Sequence, residues 1–145
     1  MRQGRTGATG PSPTANTALI ANTAGGMSTV LAAGVNVSFN EGILPAGINI
    51  DGSNEVLTVA DGGVYRISYN VNTTVAETLG VQVPVNNIPV AASQLLPGLP
   101  TSSYRNDFIV ELDDNSTISL ALYSLDGVVT LITGAGANMT VMQLS

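Results

Sequence analysis

Apolar and polar residues alternate along much of the chain, most clearly in the segment that follows Gly62 and Gly63. Large apolar side chains occupy every second position of this segment: Tyr65, Ile67, Tyr69 and Val71. The intervening positions hold smaller or polar residues: Val64, Arg66, Ser68 and Asn70. Successive side chains of a β-strand point to opposite faces, so the segment predicts a strand with one face against a core.

Short segments of similar character recur from residue 18 to the C-terminus, separated by turn-forming residues about every eight to twelve positions. This spacing is typical of a β-sandwich or barrel, and no apolar set recurs with the period of a helix. Besides residues 63–71, the predicted strands are 18–22, 35–40, 48–50, 56–59, 79–85, 88–90, 107–112, 117–123, 128–132 and 138–144. Residues 94–103 are predicted to form a loop, because they contain Pro97, Gly98 and Pro100.

Residues 1–17 differ from the rest of the chain, since Met1 is the only large apolar residue among them. Gly4, Gly7 and Gly10 lie three positions apart, which is the Gly-X-Y pattern of a collagen-like stalk. A plain linker is the alternative interpretation. Three triplets are too few for a stable triple helix, so we expect residues 1–17 to be disordered in isolation and residues 18–145 to fold as one domain.

The composition favours an oligomer. Charged residues make up only 10% of the chain, against about 25% in an average soluble domain. The mean hydropathy is +0.32, and Lys, His, Cys and Trp are all absent. A monomer of this composition would expose apolar patches, which contact between subunits would bury.

The charge excludes two classes of partner. The formal net charge is −6, with four basic residues against ten acidic ones and no basic cluster. Nucleic acids and anionic membrane surfaces both require clustered cations, so we expect neither as a partner.

The chain lacks most of the residue types that carry out catalysis. Without His, Cys or Lys there is no triad, thiolate or Schiff-base nucleophile, so we expect no enzymatic activity. We expect no cofactor, although calcium stays open because turns carry oxygen ligands. The two candidate calcium groups are Asp113 with Asp114 and Asn115, and Asp51 with Asn54 and Glu55.

The order of these elements resembles the C1q/TNF-like jelly roll. The elements that carry the resemblance are the strand after Gly63, residues 35–39, residues 81–87, residues 108–123 and the last strand ending at Leu144. Together with the preceding Gly-X-Y triplets and the low charge, they resemble the C-terminal head of the collagen-like spore-surface glycoproteins of the BclA type.

The resemblance implies a homotrimeric jelly-roll head at the spore surface, or exosporium, that nucleates the stalk and mediates surface contact or adhesion. It implies a core signature of Gly63, Tyr65, Ile67 and Tyr69. It also implies that the subunits meet at Val64, Arg66 and Ser68, where Arg66 needs an acidic or carbonyl partner. A solvated Arg66 is the alternative.

A second hypothesis is a recognition module, such as an adhesin or phage fibre tip, that binds a carbohydrate or a host protein. Exposed Tyr and Asn side chains in a loop would favour it. The candidates for such a ligand loop are Tyr104 and Asn106.

Overall fold

The computed structural model describes residues 13–30, 32–124 and 127–145, and within them the fold is all-β. Two 3-10 helices of one turn each occur, Pro13–Ala15 and Ala91–Ser93. The described part of the chain therefore contains no helix long and apolar enough to cross a membrane. The predicted Gly-X-Y triplets at Gly4, Gly7 and Gly10 lie outside the described residues.

The described strands form three antiparallel sheets. The first half of the chain forms β1 (Thr17–Asn22), β2 (Gly26–Val30), β3 (Val35–Asn36), β4 (Glu41–Ile43), β5 (Ile48–Ile50), β6 (Val56–Val59) and β7 (Gly63–Glu77). The second half forms β8 (Gly80–Gln82), β9 (Pro84–Val85), β10 (Ile88–Pro89), β11 (Thr101–Leu112), β12 (Ser116–Ser119), β13 (Ala121–Tyr123), β14 (Gly127–Leu131) and β15 (Ala137–Gln143).

The large sheet is built around β7. Strand β11 pairs with one edge of β7 and β15 pairs with the other, followed by β1 and then β4. Strands β14 and β2 extend the sheet from the far end of β7, where Leu131 pairs with Thr73. All of these pairings are antiparallel, as in a jelly roll.

The other strands form two smaller sheets, with the orders β10-β9-β12-β6-β5 and β3-β13-β8. Two segments that were predicted as single strands are each interrupted, and each contributes one strand to both of these sheets. Residues 117–123 break at Leu120, whose carbonyl accepts a hydrogen bond from the Val37 amide at 2.8 Å. Residues 79–85 break at Val83, whose amide instead donates to the Ser93 hydroxyl at 2.8 Å.

The core lies against the inward face of the large sheet. Tyr65, Ile67, Tyr69 and Val71 are all at most 1% exposed. Both tyrosine hydroxyls donate to backbone carbonyls, that of Tyr65 to Asp61 and that of Tyr69 to the fully buried Ser93. The two tyrosine rings are therefore buried with both hydroxyl groups hydrogen-bonded.

Two turns have the backbone that their residue types predict. Asn86 and Asn87 have positive φ angles of 51° and 66° between β9 and β10, which is typical of a two-residue hairpin turn. Gly63 has a φ of 151°, where its missing side chain lets β7 begin beside the C-terminal Ser145.

Strands β2 and β4 lie in segments where no strand was predicted, and the predicted strand 35–40 is ordered as a strand only at Val35 and Asn36. Strand β7 continues to Glu77, six residues beyond its predicted end. Strand β11 starts at Thr101, inside the predicted loop.

Candidate functional site

The outward face of the large sheet carries the residues that alternate with the core signature of β7. On this face Val64 and Ser68 are half-buried and Arg66 is exposed. Residues paired directly across antiparallel strands share a face, so β11 and β15 contribute their own side chains. In register, Arg66 lies between Ile109 and Met142, Ser68 between Asp107 and Thr140, and Asn70 between Arg105 and Asn138.

Apolar side chains are exposed on this face. Ile109 on β11 is 63% exposed, and near the opposite edge of the same face Leu19 and Ile43 are 40% and 71% exposed. Leu19 pairs with both Ile43 and Thr140, which places it on the same face. Apolar residues exposed near both edges of one sheet face make that face a candidate interaction surface.

Arg66 has its charge partner within its own chain. Its Nε donates to both carboxylate oxygens of Asp107, at 3.0 Å and 3.2 Å, and its Nη2 also donates to Oδ2. These hydrogen bonds lower the pKa of Asp107 and raise that of Arg66. Since about half of each side chain is exposed, the pair is neutralised without being buried.

Two hollows lie on this face, one near each edge of the sheet. A hollow of about 340 Å³ on the β7 and β11 pair is lined by polar residues that include Asn70, Arg105 and Asn106. A groove of about 520 Å³ near the other edge of this face runs along β1 and β4, and its lining includes Leu19, Glu41 and Ile43. One edge is therefore polar and carries Arg105 beside the Arg66 and Asp107 pair, while the other has apolar residues and the acidic Glu41.

The predicted ligand loop at Tyr104 and Asn106 is wrong. Both residues lie on strand β11, and Tyr104 is only 5% exposed. Tyr104 takes an inward position opposite Val71, and its hydroxyl donates to the Glu77 carbonyl at 2.7 Å. Asn106 is half-buried, and its amide donates to the Ala92 carbonyl at 3.0 Å. The two-residue spacing of Tyr104, Asn106 and Phe108 was the signal for a strand.

Each candidate calcium group has one carboxylate that accepts local hydrogen bonds, Asp51 in one group and Asp114 in the other. Asp51 accepts hydrogen bonds from the Glu55 and Val56 amides, which lower its pKa. Asp114 accepts from the Gly62 amide at 2.6 Å. The described residues contain no group of three or more acidic side chains placed to hold a metal ion.

Sequence reasoning missed the β4 edge of this face. Glu41 and Gly42 fall between the predicted strands 35–40 and 48–50, but they belong to β4 and pair with Ala21 and Ile20. A three-residue strand carries too little alternation to be recognised. Its pairing with β1 depends on contacts distant in the sequence.

The fold class follows from comparison with solved structures. The chain superposes on murine APRIL with a TM-score of 0.63 at 11% identity, covering 87% of this chain and 97% of that one. It superposes on pika GITRL with a TM-score of 0.53 at 19% identity, covering 72% and 88%. Rabbit GITRL gives 0.52 at 19% identity, with 70% and 79% coverage. At these identities the likeness establishes the fold, a C1q/TNF-like jelly roll.

Family membership follows from the sequence. Residues 18–145 match the model of the BclA C-terminal domain, so the chain belongs to that family. The match starts at the residue where strand patterning begins and extends to the end of the chain. No curated protein sequence matches the chain.

Proposed function

We propose that this domain is a non-enzymatic homotrimeric head on a collagen-like spore-surface filament, where it nucleates the stalk and mediates surface contact or adhesion at the exosporium. Membership of the BclA C-terminal domain family supports the surface role. The observation that carries self-association is the outward face of the large sheet, which exposes Leu19, Ile43 and Ile109.

A trimer gives this face a role that a monomer does not. Three copies packed through it would bury its apolar side chains, and the Arg66 and Asp107 pair would enter the interface already neutralised. The partner that Arg66 requires is therefore supplied within each subunit. If the domain were a monomer, Arg66 would stay partly exposed to solvent, as the alternative interpretation expects.

Stalk nucleation is supported by the place where the chain enters the head. The amide of Asn16 donates to the Gln143 side chain at 2.7 Å, and the Asn16 carbonyl accepts from the Gln143 amide at 3.1 Å. Thr17 then pairs with Met142, the neighbour of Arg66 across the sheet. A trimer built on this face would bring three chain entries together and raise the effective concentration of the stalk segments.

The test of self-association is the mass in solution by light scattering. We expect a particle of three times 14.7 kDa, and Ile109→Asp should reduce it toward the monomer mass while the β-sheet circular dichroism is retained. Ile88→Asp is the matched control, because Ile88 is 71% exposed on a different sheet. A wild-type monomer would overturn the proposal.

Nucleation has its own test in full chains lengthened at the N-terminus by further Gly-X-Y triplets. Triple-helix melting, followed by circular dichroism, should occur at a higher temperature with the wild-type head than with Ile109→Asp. Equal melting temperatures would show that the head does not nucleate the stalk.

The alternative function, a carbohydrate- or host-protein-binding module, has less support. Its aromatic candidate, Tyr104, is buried and hydrogen-bonded inside the sheet. Adhesion through the trimer does not require a dedicated aromatic ligand site.

A further inference from the structure

A row of paired residues crosses the outward face of the large sheet and ends in opposite charges. Strand register links Arg105 to Asn70, Asn70 to Asn138, Asn138 to Ala21, and Ala21 to Glu41. Paired residues share a face, so Arg105 marks the β11 end of the row and Glu41 marks the β4 end.

Both charges are available for a partner. Arg105 is exposed and forms no salt bridge within the described residues, because the neighbouring Asp107 is engaged by Arg66. Glu41 is also exposed, and its Oε2 accepts a hydrogen bond from the Thr23 hydroxyl at 2.8 Å. That neutral donor leaves the carboxylate charge uncompensated.

The two charges cannot neutralise each other within one chain. The row spans five strands, so its ends lie four strand spacings, or about 19 Å, apart. A long side chain at each end does not cover that separation. Contact between Arg105 and Glu41 therefore requires a second copy of the chain.

Apolar residues accompany each charge on the same face. Ile109 lies on β11 with Arg105, and Ile43 follows Glu41 by two positions on β4 beside the groove that Leu19 also lines. Each edge thus presents one charge with apolar surface, and the charges are opposite. Complementary edges of this kind fit a head-to-tail contact, which closes into a ring when the rotation between copies permits.

We propose that Arg105 of each copy forms an ion pair with Glu41 of the next copy, and that this pair fixes the direction and register of the ring. The inference rests on the proposed trimer and specifies which two edges of the large sheet meet in it.

The test is a charge-reversal cycle on the full chain, read as the trimer dissociation constant from light scattering over a dilution series. Arg105→Glu and Glu41→Arg each place like charges opposite one another, so each should raise the dissociation constant at least about tenfold. The double variant restores opposite charges and should return it to within a few-fold of wild type. Glu55→Arg is the matched control, since Glu55 lies in the loop between β5 and β6 on a different sheet.

The outcomes separate this inference from the proposed function. A wild-type chain that is not a trimer overturns both. A wild-type trimer that tolerates both single reversals overturns the ion pair and leaves the trimer standing. Weakening by both reversals without rescue in the double variant places the residues at the interface but overturns their pairing.

The neutral variants Arg105→Gln and Glu41→Gln give a second measure in case a reversal prevents folding. If the residues pair, the double neutral variant should weaken the trimer by less than the product of the two single effects. Multiplicative effects would overturn the pairing as clearly as a failed rescue.

Discussion

The two faces of strand β7 differ in what stabilises them. On the inward face the core signature residues Tyr65, Ile67 and Tyr69 are at most 1% exposed and pack in one apolar cluster. On the outward face Arg66 remains about half exposed and is stabilised by one ion pair with Asp107. Burying a large apolar side chain stabilises a fold by about 1.5–3 kcal/mol, whereas an exposed ion pair contributes about 0–1 kcal/mol.

This difference indicates two separable roles for the strand: folding for the inward face and, in the proposed trimer, contact between subunits for the outward face. Its inward face determines whether the subunit folds, so substitutions there should lower the free energy of unfolding. Its outward face adds little to folding and is free to be selected for contact between subunits. Variants of the two faces should therefore separate stability from assembly.

The largest expected effect comes from Ile67→Ala on the inward face. Ile67 is fully buried, and its truncation leaves a cavity in a packed core. We expect the free energy of unfolding to fall by about 2–5 kcal/mol, measured by urea denaturation at fixed protein concentration.

Ile88→Ala is the matched control for this change, because Ile88 is 71% exposed on the two-residue strand β10. It should alter the free energy of unfolding by no more than about 0.5 kcal/mol. Equal losses in the two variants would show that the inward face of β7 is not the centre of the core.

A smaller effect is expected from Tyr69→Phe, which keeps the ring and removes one hydrogen bond. The Tyr69 hydroxyl donates to the Ser93 carbonyl at 2.6 Å in a site where Ser93 is fully buried. Leaving that carbonyl without its donor should lower the free energy of unfolding by about 1–2 kcal/mol.

The same residue gives a pH test. Burial raises the pKa of Tyr69 from 10.0 to about 12. Because the folded state holds the proton more tightly, this contribution to stability is present below pH 10 and is lost as the pH rises toward 12.

Tyr69→Phe should therefore reduce the loss of stability between those pH values, which alkaline denaturation would measure. Tyr123→Phe is the control at neutral pH, since its hydroxyl lies 3.5 Å from the Leu95 carbonyl and the residue is half-buried. If Tyr123→Phe lowered the free energy of unfolding at neutral pH more than Tyr69→Phe, the stabilising role assigned to the hydrogen bond from Tyr69 to Ser93 would be wrong.

The sequence predicted the fold where alternation was long. Residues 63–71 have four large apolar positions in strict period, and the structure buries all four. This local information predicted an all-β sandwich or barrel, whereas the jelly roll and the family came from the resemblance carried by the order of the elements and the Gly-X-Y triplets. Long alternating segments are predictable because the two-residue period of a strand fixes which side chains face the core.

The candidate site was only half predictable for the same reason. The pattern placed Val64, Arg66 and Ser68 on the face opposite the core, but it could not show that β4 joins that face, since strand pairing depends on distant contacts. Tyr104 was misplaced because Pro97, Gly98 and Pro100 suggested that the loop extended to residue 103, whereas β11 starts at Thr101.

The smallest expected effect comes from Asp107→Asn on the outward face. The hydrogen bonds from Arg66 hold the pKa of Asp107 below its ordinary value of 3.8. A lowered folded-state pKa gives stability that is present above pH 3.8 and is lost as the pH falls through the folded-state value. We expect the variant to have a slightly lower urea midpoint than wild type at neutral pH, and the difference should vanish on strong acidification.

Glu111→Gln is the matched control, because Glu111 lies on the same strand and forms no salt bridge within the described residues. Salt should shrink the effect of Asp107→Asn further, since both side chains of the pair are about half exposed and are therefore screened. A loss at Asp107 as large as that at Ile67 would mean that assembly buries the pair fully, rather than leaving it partly exposed at the margin of the interface. The outward face would then contribute to folding through assembly, and the two faces of β7 would not be separable.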